Sequence, residues 1–319
     1  MRIDLHQHLW PAALLDLLRG RHTAPLLEGG GGQPMLRLAH ERDGAVALAA
    51  HDPAERLRVM DEAGIDRCVI SLSTPLGIEA LPSAEALPLL EAYHDGMAEV
   101  MAGSGGRIGA WAAAALDLPD AGASIVEPLL RDGFSGASLA SEALASRAGL
   151  ERCEQLLAML EEAGRPLFVH PGPAPWTAPY AREDDMPGWW TNLAVYPGLV
   201  NRAFFTWRAI GAERHPRLRL VFTVLGGGAP LMEGRFRTFS GLPGEIDPRV
   251  FVDTASSQRL ALDHMMATYG IEQVVFGTDI PVIDPGPVTR ALEELGDPVV
   301  RAVTETNPTR LLDLKEVAA

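Results

Sequence analysis

Lysine and cysteine are scarce in this sequence. Lys315 is the only lysine among 319 residues, so arginine supplies the other 26 of its 27 basic side chains. Schiff-base formation, phosphate binding by a P-loop and a carbamylated bridge between two metal ions all need an internal lysine, and they have only this near-C-terminal candidate. The two cysteines, Cys68 and Cys153, show no spacing typical of a disulfide framework or a zinc ribbon.

Long hydrophobic runs and an excess of positive charge are also missing. No apolar run approaches the roughly 18 residues of a membrane span, and the first residues lack the basic and then apolar pattern of a secretory signal. Acidic residues outnumber basic ones by 42 to 27, a net charge of −15, which repels nucleic acid and anionic membranes. We therefore expect a cytoplasmic protein that acts on a small-molecule substrate and binds neither nucleic acid nor membrane.

What the sequence does contain is a regular alternation of short apolar runs and amphipathic stretches. The runs are rich in Val, Ile, Leu and Phe, as in strands that are buried on both faces. Eight such strands alternating with helices predict one α/β domain over residues 1–319, a closed (β/α)8 TIM barrel. The predicted strands are Arg2–Leu5, Arg67–Leu72, Arg107–Trp111, Gly136–Leu139, Leu167–His170, Leu218–Thr223, Val250–Asp253 and Val274–Phe276.

Two insertions interrupt this alternation. Residues 21–51 contain Met35–Ala39 and Ala45–Ala49 on either side of a polar turn, which predicts a small β-hairpin inserted after strand 1. Residues 171–198, after strand 5, hold six prolines and several aromatic residues. A loop of that length in a compact domain is usually a lid or a binding loop. Both insertions follow the carboxyl end of a strand, where barrel enzymes place their active sites.

The segment Asp4-Leu5-His6-Gln7-His8 stands at the end of the first predicted strand. Residues i and i+2 of a strand point to the same face, so His6 and His8 are expected to project together into the barrel mouth. Two neutral imidazoles at this spacing can share one divalent ion. Alone the pattern is weak, because nine histidines produce some such spacings by chance.

Two further strand ends carry candidate ligands. His170 ends strand 5, and Asp279 follows strand 8 in Phe276-Gly277-Thr278-Asp279. Taken singly, His170 reads as a buried structural histidine and Asp279 as a turn residue or helix N-cap. Three imidazoles and a carboxylate from three strand ends form a donor set that suits a divalent ion with room left for water. The joint pattern therefore favours a metal site.

These motifs resemble those of the amidohydrolase superfamily, in the branch that includes aminocarboxymuconate-semialdehyde and resorcylate decarboxylases. The likeness is carried by Asp4–His8, by His170-Pro171-Gly172, by Leu218–Pro230, by Gly277-Thr278-Asp279 and by Asn307–Leu312, and it spans nearly the whole chain. It implies a (β/α)8 barrel and a homo-oligomer such as a dimer. The metal ligands that it implies are His6, His8, His170 and Asp279.

The sequence departs from this branch at the end of strand 6. The branch usually has a histidine just before a glycine-rich turn, and Val224 occupies that position here. Lysine is also missing from the strand 4 region, Gly136–Leu139, where binuclear relatives carry a carbamylated bridge, which leaves Glu142 as a remote substitute. We therefore expect one divalent ion, zinc in the first place, with manganese or another divalent ion as the alternative.

Five further residues are candidates for contact with the substrate. Glu79 follows strand 2 and Asp253 ends strand 7, although a loop carboxylate such as Glu79 is more often only solvated. Trp176, Arg182 and Trp189 lie on the predicted lid. Arginine and aromatic side chains suit a planar carboxylated substrate, but packing within the lid explains the tryptophans equally well.

Three functions fit these residues. The leading hypothesis is a metal-dependent hydrolase of a small amide, ester or lactone, in which Asp279 takes a proton from a metal-activated water. The rival is a non-oxidative decarboxylase of a small aromatic or unsaturated carboxylate, which the aromatic lid and the resemblance favour. The third is a barrel that binds metal and ligand without turnover, which the replacement by Val224 suggests.

Overall fold

Eight parallel strands form a barrel in the computed structural model, which describes residues 1–178 and 180–314. Strands 1 to 8 are Ile3–His8, Arg67–Ser71, Ile108–Ala113, Gly136–Ala140, Leu167–His170, Leu220–Phe222, Val250–Asp253 and Val274–Val275. The segment after strand 8 returns to strand 1, where Leu5 donates to the Phe276 carbonyl at 2.9 Å and His8 to that of Ile280 at 2.7 Å. The predicted (β/α)8 fold is thus confirmed, with each strand at its predicted place to within three residues at either end.

A small hydrophobic core fills the inside of the barrel. Its largest members, Trp111 on strand 3 and Phe168 on strand 5, stack with ring centroids 5.4 Å apart. The helix Asn307–Leu312 closes the end of the barrel at which the strands begin, where Leu311 and Leu312 join this core. The opposite end, at which the strands finish, is therefore the one left for a functional site.

Helices surround the barrel and bury a second, larger core against the outer faces of the strands. The helix Pro53–Glu62 begins where the sequence indicates, because the Asp52 carboxylate accepts the amides of Ala54 and Glu55. The other main helices are Ala12–Gly20, Ser83–Gly103, Ala123–Arg131, Arg147–Arg152, Glu154–Glu162, Tyr196–Thr206, Thr223–Ser240, Arg259–Tyr269, Gly286–Glu293 and Asp297–Arg301. No helix in the described ranges is both long enough and apolar enough to cross a membrane.

The insertion over residues 21–51 contains the predicted hairpin and one strand more. Met35–Arg37 pairs antiparallel with Gly44–Ala45, and Leu26–Glu28 adds a third strand on the other side of Met35–Arg37. The predicted second strand, Ala45–Ala49, is shorter than expected because the chain turns into the 3-10 helix Leu48–His51. The insertion is therefore a small sheet beside the barrel.

The loop after strand 5 is long but ends earlier than the sequence suggested, because a helical run starts at Thr191. This loop is tied to the insertion by polar contacts. Glu41 accepts hydrogen bonds from the hydroxyl groups of Tyr180 and Tyr196, and Arg182 pairs with Asp43 at 3.0 Å. The two insertions thus pack against each other beside the carboxyl end of strand 5.

Candidate metal centre

The four predicted ligands meet at the carboxyl end of the barrel. One donor atom from each of His6, His8, His170 and Asp279 lies within 4.8 Å of the others. Nε2 of His6 is 3.2 Å from Nε2 of His8, and Oδ1 of Asp279 is 3.4 Å and 3.0 Å from these two nitrogens. The histidines are buried, whereas 17% of the Asp279 side chain is exposed. The carboxylate is thus the member of the cluster that solvent reaches most easily.

A β-bulge in strand 1 gives the two histidines their direction. Asp4 pairs with Cys68 but Gln7 pairs with Ile70, so strand 1 has one residue more than strand 2 over this stretch. As a result Leu5 joins the core inside the barrel, and the next residue, His6, also points inward. The i and i+2 relation of His6 and His8 is kept beyond the bulge.

The second nitrogen of each imidazole is held by a hydrogen bond. Nδ1 of His6 lies 2.5 Å from Oδ2 of Asp253, and Nδ1 of His8 lies 3.2 Å from the carbonyl of Ser71. Thr74 donates its hydroxyl proton to the Pro171 carbonyl, so its oxygen accepts from Nδ1 of His170 at 2.9 Å. Because each Nδ1 lies at hydrogen-bond distance from an oxygen acceptor, Nε2 is the nitrogen that offers a lone pair to a ligand when the ring is neutral.

Charges within the cluster shift the pKa values of its members. Burial opposes protonation of His6, but the carboxylates of Asp253 and Asp279 outweigh it and raise the pKa of His6 to about 8. Burial lowers the pKa of His170 well below its usual value, and the two neighbouring imidazoles lower it further. Burial alone would raise the pKa of Asp279, but His6 and His8 bring it below the usual value. The protein therefore favours a negative charge on Asp279, with a positively charged His6 beside it below about pH 8 and a neutral His170.

The cluster suits a divalent cation. Oδ1 of Asp279 is buried and has no hydrogen-bond partner among the described residues, and Asp279 is held in the left-handed region at φ 66°. A buried carboxylate oxygen next to two imidazole nitrogens is stabilised by a cation that binds all of them. Glu142 does not belong to this cluster, so the four donors form a candidate site for one ion without a carboxylate bridge from Glu142.

Two residues of strand 1 that had no predicted role connect the site to the barrel wall. The buried Asp4 carboxylate accepts the hydroxyl of Thr278 at 2.6 Å and the side-chain amide of Gln7 at 2.6 Å. Gln7 in turn accepts from the buried Arg56 at 3.1 Å. These contacts join strand 1 to the residue just before Asp279. Asp4 lies within the motif Asp4–His8 that carries the family resemblance, but no pattern in the sequence reveals that it binds Thr278, 274 residues further along the chain.

Asp253 holds His6 in place through its carboxylate. Its side chain is fully buried, with Oδ2 bound to His6 and Oδ1 accepting the amides of Val224 at 2.8 Å and Ala255 at 3.2 Å. These contacts leave no exposed oxygen for the substrate contact that we predicted for Asp253. Val224, the residue in place of the strand 6 histidine, begins a stretch of five left-handed residues, 224–228, which interrupts the start of the helix Thr223–Ser240 and which we call the strand 6 turn.

Two other predicted substrate-binding residues, Glu79 and Trp176, lie in packed parts of the structure. Glu79 is buried in the 3-10 helix Ile78–Ala80, and neither of its carboxylate oxygens has a hydrogen-bond partner among residues 1–178 and 180–314, so it is not the solvated loop residue considered above. Burial raises its pKa to about 7. Trp176 packs on the outer core, with the guanidinium of Arg152 over its ring. Their contact with a substrate stays a prediction.

The two remaining lid residues differ in exposure. Arg182 forms ion pairs with Asp43 and Asp184 and donates to the carbonyl of Leu38. Trp189 is 55% exposed and lies beside Trp190. The contacts of Arg182 are therefore with the insertion, and nothing in the described residues joins either side chain to the metal cluster.

The chain belongs to the amidohydrolase family, whose model matches residues 3–314. It is 26% identical to the gamma-resorcylate decarboxylase of Rhodococcus jostii over 254 residues, which cover 71% of this chain and 76% of the relative. The fold resembles that of Metarhizium anisopliae IDCase at a TM-score of 0.79, 20% identity and coverage of 100% and 98%. It also resembles that of a dihydroxybenzoic acid decarboxylase from a Polaromonas species, which was solved with manganese and the inhibitor 2-nitroresorcinol. The TM-score is 0.70 and the identity 17%, over 98% of this chain and 97% of the neighbour.

The comparisons overturn the leading hypothesis of a hydrolase. The curated relative is a decarboxylase, and so is the manganese-containing structural neighbour. The hydrolase prediction was therefore wrong, and the alternative of a carboxy-lyase agrees with these findings. The hydrolase prediction failed because the same protein ligands can hold a cation that polarises a water molecule or a cation that anchors a carboxylate, so the ligand set alone does not distinguish the two reactions.

Proposed function

We propose that this protein is a metal-dependent, non-oxidative decarboxylase of a small aromatic carboxylate. The observation that carries the proposal is the cluster of three buried imidazoles and the partly exposed Asp279, in a chain related to gamma-resorcylate decarboxylase. The substrate class follows from that relative, whose name specifies an aromatic carboxylate. The manganese of the Polaromonas neighbour supports manganese beside zinc as the ion.

In this proposal His6, His8, His170 and Asp279 hold one divalent ion. When bound, the ion supplies positive charge that anchors the substrate carboxylate and an adjacent oxygen. The hydrogen bonds at Nδ1 hold the three rings in the tautomer that leaves Nε2 free. Because the histidines are buried and Asp279 is not fully so, the substrate approaches from the side of the carboxylate.

Asp279 has a second role as the proton donor. Loss of carbon dioxide breaks the bond between the ring carbon and the carboxyl carbon, and its electron pair must take up a proton at the ring carbon. Asp279 is the only carboxyl group in the cluster of described residues, so we assign it the transfer: its carboxylate takes a proton from water and passes that proton to the ring carbon. The replacement of the strand 6 histidine by Val224 leaves no imidazole there to share this task.

The proposal is tested by carbon dioxide release from purified protein loaded with Mn2+ or Zn2+. The panel contains 2,6-dihydroxybenzoate, other hydroxylated benzoates, and amide, ester and lactone substrates as the contrast. We expect carbon dioxide and the decarboxylated phenol from at least one benzoate. Metal binding with no carbon dioxide release from any member would refute the assignment and leave the non-catalytic barrel as the better account.

Asp279→Asn distinguishes the two roles of this residue. An amide oxygen can still contact the ion but the group cannot donate the acidic proton, so turnover should fall by at least about 100-fold while metal remains bound. His170→Asn is the matched change in the same cluster and should reduce turnover through loss of metal. Retained turnover in Asp279→Asn would show that another group supplies the proton.

A further inference from the structure

The carboxylate of Asp253 bridges a predicted metal ligand and the strand 6 turn. Its Oδ2 lies 2.5 Å from Nδ1 of His6, and its Oδ1 lies 2.8 Å from the backbone nitrogen of Val224. The side chain is fully buried, so these contacts are shielded from bulk solvent. One rigid group thus joins the end of strand 1 to the segment that follows strand 6.

Space around this carboxylate is tightly limited. A Cβ atom added at Gly277 would lie 2.9 Å from Oδ2 of Asp253 and 2.9 Å from Cβ of His6. Both distances are too short for real carbon contacts. Asp253 and His6 are therefore packed against the backbone of the segment that leads to Asp279, and neither can shift in that direction.

The strand 6 turn is held in an unusual conformation. Residues 224–228 all have positive φ, between 49° and 74°. Val224 is β-branched, and such residues rarely adopt this region. A conformation of this kind persists when its surroundings determine it, and the hydrogen bond from the Val224 amide to Asp253 is one such restraint.

A second restraint acts at the other side of the turn. A Cβ atom at Gly227 would lie 2.2 Å from the carbonyl oxygen of Pro197 and 2.4 Å from the nitrogen of Asn201. Asn201 also donates its side-chain amide to the Gly227 carbonyl at 3.3 Å. The turn is therefore seated directly on the helix Tyr196–Thr206. At Gly228, by contrast, an added Cβ atom would meet only Leu231, at 3.9 Å.

We propose that Asp253 is a positioning residue that fixes the ring of His6 against the strand 6 turn, so that the conformation of this turn determines how tightly the cluster holds its metal ion. The proposal rests on the metal centre of the proposed function but not on decarboxylation. Asp253 acts through His6 and touches neither the ion nor the substrate. The turn contributes through the Val224 amide and through its seat on the neighbouring helix.

The experiment measures the affinity of the whole purified protein for Mn2+ by competition with a chelating dye. Asp253→Asn keeps the size of the side chain but removes the negative charge that accepts from His6. Gly227→Ala pushes the turn off the helix. Gly228→Ala is the matched control, because it places the same methyl group on a left-handed residue of the same turn with open space around it.

We expect Asp253→Asn to weaken Mn2+ binding about 10- to 100-fold, the usual effect of losing a partner of a metal-binding histidine. Gly227→Ala should weaken binding in the same direction and clearly more than Gly228→Ala. The visible absorption of the Co2+-loaded protein should shift in Asp253→Asn, because the ring of His6 changes its orientation. A residue with only a structural role would lower the unfolding temperature of the metal-free protein and leave affinity and spectrum unchanged.

Wild-type affinity and an unchanged Co2+ spectrum in Asp253→Asn would overturn the proposal. Equal affinities in the two glycine variants would overturn the part assigned to the turn. If Gly227→Ala does not fold, Asp253→Asn still decides the role of the carboxylate. Failure of the wild-type protein to bind any divalent ion would instead refute the metal centre itself, and the two failures are therefore distinguishable.

Discussion

Glu79 provides a quantitative test of the packing beside the barrel mouth. Its carboxyl group is buried, neither oxygen has a hydrogen-bond partner in the described part of the chain, and burial raises its pKa to about 7 from an ordinary 4.5. An unfolded chain releases this proton near pH 4.5, but the folded protein keeps it until about pH 7. Folding stability is therefore lost as the pH rises from about 4.5 through 7.

The magnitude follows from the difference in pKa. Each unit corresponds to about 1.4 kcal/mol, so full ionisation of Glu79 costs about 3 kcal/mol of unfolding free energy. A chain of 319 residues has an unfolding entropy of about 0.7 kcal/mol per degree. Glu79→Gln carries a neutral group of similar size that cannot ionise. At pH 8 this variant should unfold about 5 °C above the wild-type protein, and at pH 4.5 the difference should nearly disappear.

Thermal unfolding of metal-free protein at both pH values measures this difference, with chelator present because metal binding depends on pH in its own right. Glu91→Gln on the helix Ser83–Gly103 is the control, since Glu91 is exposed and its loss should leave the pH dependence unchanged. A Glu79→Gln variant that is no more stable than wild type at pH 8 would show that the buried carboxyl is stabilised in its charged form. The reasoning from desolvation would then fail.

Two further predictions concern the metal centre. Thr74→Val removes one of the two oxygens that can accept the His170 Nδ1 proton, the other being the Pro171 carbonyl at 3.0 Å, and should weaken Mn2+ binding by up to about 10-fold. Thr268→Val, which removes a hydroxyl bound only to a carbonyl on a distant helix, should not change the affinity. Equal affinities of the two variants in a chelator competition would contradict this prediction. Mn2+ at 100 times its dissociation constant should raise the unfolding free energy by about 2.7 kcal/mol, which corresponds to an unfolding temperature about 4 °C higher. In calorimetry, Asp279→Ala, which lacks one predicted ligand, should show a much smaller increase at the same Mn2+ concentration.

The fold was predictable because strand burial leaves a clear pattern in the sequence. Runs such as Leu167–His170 and Val250–Asp253 coincide with the observed strands residue for residue. Strands that are buried on both faces need continuous apolar sequence, and parallel strands must alternate with helices. The ligand positions follow from the same rule, because His8, His170 and Asp279 lie at or just beyond strand ends that share one edge of the barrel.

Contacts between distant segments were not predictable from the sequence. Glu79 was expected on a loop open to solvent, but the backbone of this segment bonds to Leu116 and its side chain becomes buried. Arg182 was predicted to contact a substrate, and that contact stays a prediction, but its ion pair with Asp43 of the insertion was not foreseen. Both outcomes depend on how separate loops pack against each other, and neither periodicity nor local propensity carries that information.

The bulge in strand 1 explains how Asp4, His6 and His8, which alternate along the chain, come to have two different tasks. In a regular strand Asp4, His6 and His8 would all face the same side. The extra residue between Asp4 and Gln7 separates them, so that Asp4 faces the barrel wall and binds Thr278 while the two histidines face the metal cluster. The segment Asp4–His8 therefore contributes two of the four predicted ligands and also holds strand 1 against the segment that carries Asp279.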